Sequence, residues 1–189
     1  KPVKKRLAWW LYQKRLLQSA DLIVVNSEQE RQRLRELGLT RPIATIPNGV
    51  DLDGFSAPNG AQQRERVVLF LSRIDPKKGV LDLIDAWRSL ADHHGHRLHI
   101  HGHGDPAYVD RIRKKIAESG CNDIALLPPI FGPARWDVFT RASIYVLPSY
   151  SENFGITIAE ALTAGLPVIT TRATPWKCLA HEGLGWIVD

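Results

Sequence analysis

Residues 144–171, IYVLPSYSENFGITIAEALTAGLPVITT, decide the fold. Ile144–Leu147 is a short apolar run without in–out alternation, which is how a strand covered on both faces of a parallel sheet reads. Pro148–Gly155 is rich in turn formers, 156–164 reads as a helix, and Gly165 stops it. Val168–Thr171 is then a second buried strand, so the stretch is one β-loop-α-β unit. The same rhythm extends on either side. Upstream, Val67–Leu71, Leu98–His101 and Ile124–Leu127 read as strands, and 79–92, 106–118 and 134–142 as helices; downstream, Trp186–Val188 offers a sixth strand. Repeated βα units with right-handed crossovers predict an α/β fold, a Rossmann-like open parallel sheet with helices on both faces.

The first 49 residues read differently. Residues 3–20 lack Gly and Pro and carry apolar residues at Val3, Leu7, Trp10, Leu11 and Leu17, a helical pattern. Trp9, Tyr12 and Leu16 widen that stripe, so the helix is expected to be covered on more than one side. A strand at Leu22–Val25 leads to Ser27 and Glu30, a capping box opening a helix that ends at Gly38. A strand at Ile43–Ile46 follows, closed by the turn Pro47-Asn48-Gly49. Residues 51–65 are polar and without periodicity, as a linker is. The expected organisation is one unit at 1–49, a linker at 50–66 and a second unit at 67–189.

The composition narrows the function class. With 44% hydrophobic and 24% charged residues in a chain of 189, wholesale disorder is excluded. No apolar run reaches the roughly 18–20 residues of a membrane span. Two cysteines are too few for a disulfide framework and suit a reducing compartment. The absence of methionine, with the abrupt start at Lys1 and stop at Asp189, leads to the expectation of a piece of a longer protein. The net charge of +5 is concentrated in residues 1–41, which hold ten Lys/Arg against four Asp/Glu, while the remainder is nearly neutral. Nucleic-acid binding needs cations spread over the binding face, so no nucleic-acid partner is expected. A basic, aromatic start also suits an anionic membrane surface or burial against another lobe.

In a doubly wound sheet, ligands bind beyond the carboxyl ends of the strands, which directs attention to two loops. Ser72-Arg73-Ile74-Asp75-Pro76-Lys77-Lys78-Gly79 follows the first strand of the second unit and precedes a helix. Arg73 and Lys78 beside a helix N-terminus can hold an anion. Pro148–Gly155 opens the helix that carries Glu160, a carboxylate on an otherwise apolar or small face, where it needs a partner. Gly155 allows a ligand close to the backbone, and the amides at 153–156 point toward an anion.

Together the loops spell Arg-x4-Lys-Gly and Glu-x-Phe-Gly-x4-Glu-Ala-Leu-x2-Gly-x-Pro-Val, which resembles family 4 of the retaining glycosyltransferases of the GT-B fold. Ile46–Asp51 is similar to that family's segment between lobes, and Leu98–Gly104 to its strand ending in Gly-x-Gly. The resemblance implies that 1–49 closes an N-terminal acceptor-binding lobe and that 67–189 is most of a nucleotide-sugar donor-binding lobe. It implies that Arg73 and Lys78 neutralise the donor's diphosphate and that Glu160 accepts from the ribose hydroxyls. Glu152 would hold a hydroxyl of the transferred sugar, and the amides of Asn153, Phe154, Gly155 and Ile156 would contact sugar and phosphate. Leu127–Phe131, with Ile130, would border the base, although Pro128-Pro129 stands where the family usually has Gly.

The implied activity is transfer of a sugar, with retention, from a nucleotide-diphospho-sugar to a glycan or lipid-linked acceptor. No metal or other cofactor is expected, and the protein is expected in the cytoplasm, peripheral to the membrane's inner face. Thr170–Trp176 and Gly183–Trp186 are similar to bacterial members that build lipopolysaccharide or other surface polysaccharides. The alternatives are a nucleotide-sugar binding module without activity and a nucleotide-sugar epimerase of the same fold. Three other signals compete. Asp51-Leu52-Asp53 matches the Asp-x-Asp metal motif of a different glycosyltransferase fold. His99, His101 and His103 alternate on one strand, a spacing compatible with Zn²⁺. Gly102-His103-Gly104 lacks the third glycine of a dinucleotide fingerprint.

Overall fold

The apolar runs of the second half pair edge to edge because each can be covered by helices on both faces. A computed structural model describes residues 7–57 and 64–189, and the chain divides into two units between Gly49 and Val50. In the first, a π-helical turn at Trp9–Gln13 runs into α1 (Lys14–Ser19). Then come β1 (Ile23–Val25), α2 (Glu28–Glu36) and β2 (Ile43–Thr45), with β1 and β2 parallel. The capping box forms: Ser27 Oγ accepts from the Glu30 amide at 3.2 Å, and Glu30 Oε2 accepts from the Asn26 amide. A small core of Ile23, Val25 and Leu39 receives Trp9 and Leu17. Within this unit the first helix is covered on one side only: Trp10, Leu11, Tyr12 and Leu16 are exposed, a departure from the broader coverage expected of it. Residues 3–6 of that expected helix lie outside the described residues.

The second unit contains β3 (Val67–Leu71), α3 (Val80–Ser89), β4 (Arg97–His101), α4 (Pro106–Ser119) and β5 (Ile124–Leu127). It continues with α5 (Arg135–Arg141), β6 (Ile144–Leu147), α6 (Ile156–Thr163), β7 (Val168–Thr171) and β8 (Gly185–Val188). The strand order is β5-β4-β3-β6-β7-β8, parallel throughout. Counted from β3, that is the 3-2-1-4-5-6 order of a Rossmann sheet. The order reverses between β3 and β6, so the crevice lies between the loops that follow those two strands.

Several boundaries differ from the sequence expectation. The helix read as 79–92 ends at Ser89 because the Asp92 carboxylate accepts from the His94 amide at 2.7 Å, closing a turn in which His94 and Gly95 have positive φ. The stretch read as a linker is anchored where it is described: Val50 and Phe55 pack on the second unit's core, with Phe55 4.7 Å from the Trp136 ring. Trp136 Nε1 donates to the Asp53 carbonyl at 3.1 Å. The Val50 and Phe55 side chains are both partly buried there, so this segment belongs to the folded unit. Arg64 then donates to the carbonyls of Ala142 and Ala164 at 3.0 and 2.7 Å, joining the C-terminal ends of α5 and α6, where a cation also meets the negative ends of two helix dipoles.

Candidate functional site

The loop after β3 is shaped by its own polar side chain. Asp75 Oδ1 accepts from the Lys77 amide at 3.0 Å, and Pro76 opens a short 3₁₀ turn over Pro76–Lys78. Gly79 ends it with φ 70°; a Cβ there would stand 2.1 Å from the Pro148 carbonyl oxygen. That close approach brings the loop after β6 against the loop after β3. The Tyr150 amide donates to the Lys77 carbonyl at 2.8 Å, and the Tyr150 hydroxyl bonds to Asp82 on α3.

Between these loops, Lys78 Nζ forms an ion pair with Glu152 Oε1, and Ser149 Oγ donates to the same oxygen at 2.9 Å. Both charged side chains are about nine-tenths buried, with 10% and 11% of their surface exposed. Arg73, the other cation of the motif, is exposed and makes no ion pair among the described residues. The loop after β6 is also held from behind. Thr171 Oγ1 donates to the Ser149 carbonyl, Trp176 Nε1 donates to the Phe154 carbonyl, and the Phe154 and Trp176 rings stand 5.3 Å apart. Gly155, with φ 79°, starts α6. The amides of Asn153, Phe154 and Gly155 donate to no acceptor among the described residues, and that of Ile156 is the first of the helix. Donors of this kind at a helix N-terminus favour an anion.

A cleft of about 180 Å³ opens beside this knot, lined among others by Ser72, Arg73, His103, Ile130, Arg135 and Glu160. It brings together Arg73, Ile130 and Glu160 of the residues singled out in the sequence. Lys78, Glu152 and residues 153–156 are not in its lining. Glu160, in the second turn of α6, accepts from Arg135 Nε at 2.8 Å. Arg135 also donates through its terminal nitrogens to the carbonyls of Gly132 and Asp51, at 2.7 and 2.6 Å. Burial raises the Glu160 pKa, against the opposing pull of the Arg135 cation. Arg135 was not among the expected site residues. The signal for it was a carboxylate on an apolar helix face that needed a cation, but the sequence does not say that α5 supplies one.

The residues of the competing signals make local backbone and side-chain contacts. Asp51 Oδ1 accepts from the Asp53 amide at 3.0 Å, and both residues' carbonyls bind α5 side chains, so the Asp-x-Asp tripeptide fastens the segment. His101 is buried, with Nδ1 2.9 Å from the Pro128 carbonyl. The His103 ring meets the Phe131 ring at a tilt, with centroids 5.3 Å apart, in the cleft wall. His99 is partly buried, and that burial lowers its pKa. Among the described residues, no three His, Cys, Asp or Glu side chains gather as a metal would need. The Gly-x-Gly is a backbone contact: a Cβ on Gly104 would stand 1.9 Å from the Ile74 carbonyl oxygen, beside the Ile74–Gly104 bridge.

Known proteins match the chain over nearly its whole length. Residues 53–189 match the family described as glycosyl transferases group 1, and residues 1–54 match glycosyltransferase family 4. A D-inositol 3-phosphate glycosyltransferase of Mycolicibacterium vanbaalenii is 29% identical over 94% of this chain and 44% of its own length. A phosphatidyl-myo-inositol mannosyltransferase of Mycobacterium tuberculosis is 29% identical over 85% of this chain and 43% of its own. The chain thus spans less than half the length of these relatives. Among solved structures, a sucrose-phosphate synthase of Thermosynechococcus elongatus superposes with a TM-score of 0.82 at 26% identity, covering 98% of this chain and 49% of that one. HepE of Anabaena, solved with UDP and glucose, shares the fold with a TM-score of 0.76 at 22% identity, over 100% of this chain and 54% of its own.

Proposed function

The chain belongs to the group 1 glycosyl transferases, and on that premise we propose that its second unit binds a nucleotide-diphospho-sugar and serves transfer of the sugar, with retention, to a glycan or lipid-linked acceptor. The observation that carries this reading is the pair of stitched loops at the strand-order reversal: they bury Lys78 against Glu152 ahead of the N-terminus of α6, while Arg73 and Glu160 line the cleft. In the reaction, the bond between the sugar's anomeric carbon and the phosphate oxygen breaks while the acceptor oxygen bonds to that carbon. The acceptor's proton passes to the leaving phosphate. Negative charge grows on the diphosphate as the bond breaks, and Arg73, Lys78 and the amides at 153–156 stabilise it without a metal. Glu152 holds a sugar hydroxyl, Glu160 the ribose, and Ile130 lies against the base.

Support for a phosphorylated-polyol or lipid-linked acceptor comes from the names of the mycobacterial relatives, and support for surface polysaccharide from Thr170–Trp176. In this reading the protein acts in the cytoplasm at the membrane's inner face. No helix of the described residues is long and apolar enough to cross a membrane. Saturation-transfer NMR of the chain with UDP-, GDP- and ADP-hexoses in EDTA tests the proposal. Saturation of both ribose and hexose protons of one donor is expected; no transfer to any of the three overturns it.

A further inference from the structure

We propose that Arg135 is a positioning residue for nucleotide recognition: it fixes the Glu160 carboxylate on the cleft wall, so that the carboxylate can accept from ribose hydroxyls. This role rests on the ribose reading of Glu160 given above. Arg135 binds one carboxylate oxygen, Oε1, at 2.8 Å, and Oε2 has no hydrogen-bond partner among the described residues. The guanidinium cannot swing away with its partner, because its other nitrogens are committed to the carbonyls of Gly132 and Asp51. It therefore ties the segment at Asp51 and the turn at Gly132 to one carboxylate. Behind it, Arg64 clamps the C-terminal ends of α5 and α6, the helices that carry the pair. Only 12% of the Arg135 side chain and 11% of the Glu160 side chain are exposed, so the cation works where solvent screens it weakly.

The electrostatics agree with this geometry. Burial and the nearby Asp51 carboxylate push the Glu160 pKa up, and Arg135 is the group that pulls it down. Asp51 Oδ2 lies 3.9 Å from the guanidinium, and the other charged or titratable groups facing the cleft are Arg73 and His103. Removing the cation leaves a desolvated carboxyl beside a second carboxylate, a setting that favours the protonated form. A protonated Glu160 loses charge-assisted acceptance from a hydroxyl. Lysine keeps the charge but not the planar fork that reaches three acceptors.

The test compares a nucleoside diphosphate with its 2′,3′-dideoxy counterpart, using whichever of UDP, GDP and ADP binds the wild-type chain most tightly. Wild type is expected to prefer the ribose form by about tenfold or more, the scale of a hydrogen bond to a charged group. In Arg135→Gln the preference is expected to collapse toward one at neutral pH and to recover partly as pH rises and Glu160 ionises. In Arg135→Lys it falls at least about threefold and stays independent of pH, because the charge is kept and the fork is lost. If Arg135→Gln does not fold, the Arg135→Lys ratio decides. A wild-type preference retained in the variants overturns the positioning role alone. A wild-type ratio of one overturns the ribose reading of Glu160, and the positioning role falls with it.

Discussion

Two buried ion pairs lie at the carboxyl ends of the second unit's strands, and they are built in opposite ways. Lys78–Glu152 joins a point charge on a flexible stem to a loop carboxylate that also accepts from Ser149. Arg135–Glu160 joins a planar cation with three committed donors to a carboxylate in the middle of a helix. A lysine with one partner can exchange it for an incoming anion at little structural cost, whereas the arginine cannot leave without freeing three acceptors. The difference teaches that burial alone does not tell an exchangeable contact from a fixed one. Under the proposed function Lys78 exchanges its carboxylate for a phosphate, while Arg135 keeps its three acceptors.

The largest expected effect is on stability and separates the two pairs directly. Arg135→Leu strands a buried carboxylate and should cost about 3 kcal/mol in urea denaturation, with Lys78→Met costing less because Ser149 still serves Glu152. Equal losses would erase the distinction. Next, Glu160→Gln should weaken nucleoside diphosphate binding by about 1.5–3 kcal/mol, read by calorimetry, because a charged acceptor is lost. Glu152→Gln should do the reverse. With its resident carboxylate neutral, Lys78 is free for phosphate, and the affinity should rise by about threefold, since the competing pair no longer reduces the binding-competent fraction. A weakening by both Gln variants would show that both pairs are scaffold.

The smallest effect comes from a third pair that serves as a control outside the cleft. Both ring nitrogens of His93 face acceptors, the Trp87 carbonyl at 2.9 Å and the Asp123 carboxylate. The bond to the Trp87 carbonyl, then Asp123, raises its pKa. Stability from the charged ring is therefore complete below the ordinary imidazole pKa and is lost as pH rises through the raised folded value. Thermal melts of His93→Gln from about pH 5.5 to 8.5 should show this part of the slope flattened, with nucleotide binding untouched.

How much of this was legible in the sequence depended on the range of the interaction. The strands at 67–71, 124–127 and 144–147 were readable to the residue because covering on both faces leaves an unbroken apolar run, and 168–171 because it opens on Val168-Ile169 after the Gly165–Pro167 turn. Arg73, Lys78, Glu152 and Glu160 stand out in the sequence as candidates because their spacing is local to two loops and one helix. The cation chosen by Glu160 was not readable, because Arg135 lies 25 residues away on another element. Nor was the anchoring of residues 50–55, whose contacts with α5 run through backbone carbonyls that carry no sequence signature. The end of α3 was misplaced because the Asp92 turn competes locally with a sequence otherwise content to be helical.

In the proposed function the stitched loops after β3 and β6 form a diphosphate site that needs no metal. Calorimetry of the chain with UDP, GDP and ADP, each against its monophosphate and all in EDTA, tests it most directly. At least one diphosphate should bind, more tightly than its monophosphate, and Lys78→Met should abolish that difference. If no diphosphate binds, if the second phosphate adds nothing, or if binding appears only with a divalent cation, the claim is contradicted.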